Sequence, residues 1–181
     1  MAAQSLPATA PHRFWAEAID LIALLFALFH LYTATFGVLE GIQQRVIHLG
    51  FALVLILLSR PLGRGDRPGV ADAALTLLAL VPSIYLVIED AVLDLRIGIA
   101  YDRDIVLGTI FVLVLLEATR RVTGLALPLL AALSIGYALF GRWMPDVIAH
   151  RGFGIDDVIV TLYLTTEGIF STPLPISATY T

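Results

Sequence analysis

Cysteine is absent from this chain, which excludes disulfides, thiolate metal sites and a cysteine nucleophile. Lysine is absent as well. All 11 basic residues are arginine, a pattern that reads as genomic compositional bias and not as a functional code. Charge of either sign is scarce, at 14% of residues, and the net charge is -4. No basic patch offsets that balance, so no nucleic-acid partner is expected. The signatures of soluble catalysis are missing too: there is no GxSxG elbow, Walker loop, HExxH pair or dinucleotide fingerprint. The chain is not expected to be an enzyme, to hydrolyse ATP through a Walker loop, or to hold a resident metal or cofactor.

What is present is hydrocarbon. Hydrophobic residues make up 59% of the chain and the mean hydropathy is +0.90, against ~45–50% apolar residues in soluble domains. The excess is gathered into long runs, the pattern that a bilayer selects. The expected fold is therefore all-α: a polytopic helical membrane protein with about five transmembrane helices, followed by a C-terminal amphipathic or re-entrant segment.

The five runs cover residues 19–37, 46–62, 70–88, 105–119 and 124–140. Each approaches the ~20 residues that cross ~30 Å of hydrocarbon. Residues 1–14 are small, polar and proline-containing, and read as a disordered N-terminus. They do not read as a signal peptide, because the first apolar run is too long for one and no small-x-small cleavage site follows. Trp15 suits an interfacial anchor, being apolar in body and polar at one edge.

Arginine placement favours a cytoplasmic N-terminus. That orientation puts Arg13, Arg60, Arg64, Arg67, Arg120 and Arg121 inside, crowded next to helix ends. Loop 89–104, with five acids against two arginines, then lies outside. Its Val92, Leu93, Leu95, Ile97 and Ile99 are expected to lie along the interface as a short amphipathic element. Loop 60–69 (RPLGRGDRPG) reads as a turn region with no structure of its own. No internal repeat is visible.

Four groups of polar residues stand out. His30, in mid-span, has no carboxylate one turn away to form a relay, so a helix–helix hydrogen bond with a residue such as Thr33 or Tyr32 is the favoured role. Arg45 and His48 share a face and read as a helix-end anchor. Glu117 precedes Arg120 and Arg121 by three and four residues, so a one-turn ion pair lowers the cost of the carboxylate, and the arginines complement the helix dipole. That cluster suits a cytoplasmic anchor or a conformational interface.

Glu167 is the most suggestive acid. It sits in YLTTEGIFSTPLPIS with Thr165, Thr166 and Ser171 around it, Gly168 after it, and Pro173 and Pro175 beyond. Broken backbone at membrane depth is tolerated where it lines a protein-walled or wet cavity, and there its free groups can bind ions or carboxylates. Glu167, Thr166 and Ser171 are thus the candidate substrate- or ion-binding residues. The alternative is a helix end at the membrane surface.

The stretches LLEATRRVTGLALPLLAALSIGYALFG, HRGF and LYLTTEGIFSTPLPISAT, with the upstream HLYTATFGVLEGIQQRVIHLGFALVLILLSRP, resemble the fused membrane subunit of tripartite ATP-independent periplasmic (TRAP) transporters, in particular the TAXI-type branch. The resemblance runs from about Phe29 onward. It implies a secondary transporter in the inner membrane of a prokaryote, with sodium as coupling ion and a periplasmic binding protein that delivers an organic acid. It also implies a four-helix scaffold portion over residues 15–122 and the start of a large transport portion over 123–181. A fused permease of that family continues for several hundred residues, so the rest of the permease is an expected partner beside the lipid bilayer, and the chain is expected to be inactive alone. A membrane scaffold subunit that steadies a partner permease is the alternative reading.

Overall fold

The computed structural model describes residues 10–39, 42–63, 65, 67–93, 95 and 99–180, with the side chains of residues 10–13, 179 and 180 outside the description. The described residues contain helices and turns and no strand. Helix α1 covers Ala10–Phe36, α2 Gln43–Ser59, α3 Val70–Leu93, α4 Asp102–Thr123 and α5 Ala126–Phe140. A 3₁₀ turn, Gly141–Trp143, follows, and then α6, Ile155–Ile159, which runs directly into a π-helical turn, Val160–Leu164. Helix α7, Pro173–Tyr180, ends the described chain. Residues 10–14, expected within the disordered N-terminus, belong to α1, and residues 1–9 lie outside the description. Val92 and Leu93 extend α3 instead of opening an interfacial element, and Ile97 lies outside the described residues.

Among the described residues three helices are long and apolar enough to cross a membrane: Phe14–Phe36, Val70–Leu93 and Ala126–Trp143. Five crossings were expected, and the two other helices are too short or too charged to be counted with them. Helix α2 has 17 residues, roughly 25 Å at 1.5 Å per residue. Helix α4 is long enough at 22 residues, but six of them are charged.

The core lies between α2, α3, α4 and the returning C-terminal segment. On α2 the buried residues Val46, Gly50, Leu53, Val54 and Leu57 recur at helical spacing and form one stripe. Helix α3 is built the other way round. Apart from Leu86, its buried face carries Asp72, Thr76, Ala79, Pro82 and Ser83, while Leu77, Val81, Ile84 and Ile88 on the outside are 54–72% exposed. Small and polar residues inside with branched aliphatics outside is the arrangement a lipid solvent favours, because small residues let helices approach closely. Gly50 is one such contact: a Cβ there would stand 3.4 Å from Ser83 Oγ. Helices α1 and α5 present leucines over much of their surface, among them Leu21, Leu24, Leu28, Leu127, Leu130 and Leu133, a continuous apolar exterior compatible with a membrane protein.

Gly108 admits the C-terminal segment to the core. A Cβ on it would lie 2.5 Å from Ile159 Cγ2 and 2.8 Å from Tyr163 Cδ1. Gly108→Ala is therefore expected to lower stability by about 1–3 kcal/mol through overpacking. Gly136→Ala in α5, where a Cβ meets nothing within 4 Å, is expected to raise it slightly through helix propensity. Unfolding in detergent checks both, and equal effects of the two variants would refute the close-approach account.

Candidate functional site

The C-terminal return is a helix broken twice. After α6 the ladder widens to a π-turn, and residues 165–172 then reverse the chain into α7. The reversal is held by its own polar groups. The Thr165 hydroxyl donates to the Thr161 carbonyl at 2.8 Å and accepts the Glu167 N–H at 3.2 Å. The Ile169 N–H reaches back to Leu162 O at 3.0 Å, and the Ser171 N–H to Gly168 O at 3.1 Å. Gly168 is pressed against the backbone of Thr161 and Leu162, where a Cβ would collide with both.

Long-range bonds dock this segment on the bundle. Tyr163, fully buried, donates to Pro82 O of α3 at 2.7 Å. Its ring lies 5.5 Å from that of Phe111, which in turn stacks at 6.0 Å on Phe170. Arg45 Nη1 donates to Phe170 O at 2.6 Å, and Gln44 Nε2 to Ala178 O at 2.8 Å. Arg45, expected as a helix-end anchor, thus holds the broken segment by its backbone.

The three candidate binding residues do not converge. Thr166 and Glu167 are exposed on the outside of the reversal. Ser171 is half-buried and lines a cavity of about 370 Å³ with Leu49, Leu115, Pro173, Leu174 and Ser177. Among the described residues no hydrogen bond joins the Glu167 carboxylate to Thr166 or Ser171. The arrangement offers an exposed acid on irregular backbone beside a separate, mostly apolar cavity.

The charged end of α4 is more deeply built than its spacing suggests. Glu117 accepts two bonds from Arg120, at 2.7 and 2.8 Å, and one from Arg121 Nε at 2.9 Å. Arg121 is only 4% exposed and reaches on to Asp72 Oδ1 of α3 at 2.8 Å, with Asp72 itself 2% exposed. The same Nη1 donates to the carbonyls of Leu57 and Arg60 at the end of α2, at 3.1 and 2.9 Å. Asp72 also accepts the N–H groups of Leu62 and Gly69 at 3.1 and 2.8 Å. Loop 60–69, expected to lack structure, is therefore pinned at Arg60, Leu62 and Gly69. Asp72 escaped notice because it is a lone acid opening an apolar run, although an ionisable residue in such a place is itself a signal.

His30 bonds across helices to His48, Nε2 to Nδ1 at 2.9 Å. Thr33, the partner expected for it, turns its hydroxyl to the His30 carbonyl of its own helix at 3.1 Å. One imidazole donates and the other accepts, and the Phe26 ring lies within 5.2 Å of both. His48 is thereby an interhelical contact between α1 and α2, not a helix-end anchor.

The HRGF stretch forms a tight return against α5. His150 Nδ1 accepts the Gly152 N–H at 3.1 Å, which leaves Nε2 as the donor to Tyr137 O at 3.0 Å. Gly152 takes a φ of +73°, the left-handed region where a Cβ is strained. No family model matches the chain, and neither any curated protein nor any solved structure matches it.

Proposed function

We propose that this chain is the N-terminal membrane part of a TRAP-type secondary transporter that takes up organic acids with sodium. In this reading a periplasmic binding protein delivers the substrate, and the remaining part of the permease is a partner. All of α1–α5 cross the inner membrane, with the N-terminus in the cytoplasm. The charges of α4 sit in its first and last turns and at Glu117, which leaves an apolar middle and supports its crossing. Residues 15–122 form the scaffold portion, and residues 123–181 open the transport portion. Gly124, at φ +81°, ends α4 just inside the second stretch.

The observation that carries the reading is the doubly broken helix at residues 155–172, held to α2 through its Phe170 carbonyl and to α3 through the Tyr163 hydroxyl, and presenting Glu167 on irregular chain. Irregular backbone packed against apolar helices is how transporters free main-chain groups for ions and anionic substrates. The test is uptake in cells. Deleting the gene should abolish sodium-dependent uptake of at least one acid from a radiolabelled panel of succinate, glutamate and 2-oxoglutarate. The wild-type gene should restore it, and Glu167→Gln should reduce it about tenfold or more, the scale of a lost charge-assisted contact. Uptake unaffected by the deletion would overturn the reading.

A further inference from the structure

We propose that the groove at the shared end of α2, α3 and α4 binds a phosphate group, carried by an anionic lipid headgroup or free in solution. The groove holds about 550 Å³ and is lined by Ser59, Arg60, Leu62, Gly63, Arg120 and Arg121. Three arginines thus meet in one concavity. Their charge is only partly cancelled within the fold: Glu117 is shared by Arg120 and Arg121, Asp72 pairs with Arg121, and Arg60 has no acidic partner among the described residues.

The second observation is an orphaned donor. Arg121 Nη2 is buried and finds no hydrogen-bond partner among the described residues, although Nε and Nη1 of the same guanidinium make four bonds. Buried donors are as a rule satisfied, and a charged one left open is costly. A carboxylate partner is already in place on two sides of this arginine, so what is missing is a further acceptor. Arg120, also on the groove wall, spends Nε and Nη2 on Glu117, and no hydrogen bond from its Nη1 occurs among the described residues. A phosphate presents several acceptor oxygens in a tetrahedron and is matched by the planar forks of clustered arginines. Leu62, half exposed on the groove wall, offers apolar surface for an acyl chain next to the arginines.

The test is native mass spectrometry of the full chain in detergent, titrated separately with phosphatidylglycerol, phosphatidylcholine and inorganic phosphate. Arg60→Gln and Arg120→Gln are compared with the wild type, and Arg121 is left intact so that the fold is kept. Saturable binding of phosphatidylglycerol, stronger than that of phosphatidylcholine and weakened about tenfold or more in either variant, is expected from the loss of one charge-assisted contact. Saturable binding of inorganic phosphate with the same loss would support the site and assign it to a free anion. If neither probe binds saturably, or both bind the variants as well as the wild type, the proposal is overturned. Melting temperatures of the two variants close to that of the wild type show that any loss is one of binding.

Discussion

Arg121→Met is expected to lower the free energy of unfolding by about 3–5 kcal/mol, the cost of leaving a buried charge without its partner. The estimate rests on burial. Arg121 and Asp72 are 4% and 2% exposed, so loss of the contact leaves the Asp72 charge largely out of solvent. The guanidinium also accounts for the end of α2, because the last carbonyls of a helix have no partner within it. Nη1 takes those of Leu57 and Arg60 and brings positive charge to the negative end of the helix dipole. One side chain therefore closes the C-terminus of α2, the first turn of α3 and the last turn of α4. Adding Asp72→Asn to Arg121→Met should recover much of the loss, since the neutral amide oxygen can still accept from Leu62 or Gly69. Arg120→Gln supplies the contrast. Its guanidinium is 41% exposed, and exposed ion pairs contribute ~0–1 kcal/mol. Unfolding by SDS in mixed micelles measures all three. A loss below about 1 kcal/mol for Arg121→Met would show that the cluster behaves like a surface pair.

What could be read from the sequence follows from the range of each interaction. The helices α1 to α5 are announced by their apolar runs, because the bilayer acts on every residue of a long segment and the signal accumulates. The Glu117–Arg121 pair is readable for a different reason: a separation of four residues guarantees proximity on a helix. No such guarantee exists for Arg121 and Asp72, which are 49 residues apart, or for His30 and His48, whose meeting depends on how α1 leans on α2. The docking of Tyr163 on Pro82 spans 81 residues and depends on the π-turn. One extra residue in a helical turn leaves no compositional mark. The break near Glu167 was legible from Gly168, while Pro173 and Pro175, expected to break the backbone, open helix α7 instead; the divergence of Ser171 from Thr166 and Glu167 was not legible. That divergence is set by how tightly the chain reverses, which side-chain chemistry alone does not encode.

That tightness leads to the second large effect. Gly168→Ala is expected to cost more than about 3 kcal/mol locally, beyond the usual range for one added methyl group. The obstruction is main chain, Thr161 O and Leu162 Cα, so no rotamer change can relieve it. The reversal must open. The Ile169 N–H then leaves Leu162 O, and Phe170 can no longer keep both its stacking on Phe111 and its carbonyl on Arg45. The bundle of α2, α3 and α4 has its own interface, in Leu53, Leu57, Ala79, Leu86 and Val114, and is expected to survive. Hydrogen exchange separates these responses, since local opening and global unfolding protect different amides. Amides of residues 165–172 should lose protection in Gly168→Ala while those of α2 and α3 keep it. Uptake in the cell assay should fall to the level of the gene deletion, because an opened reversal no longer holds Glu167 in place. Unchanged protection at residues 165–172 would mean that the turn has room for a methyl group, and the close approach at Gly168 would then be no constraint on the site.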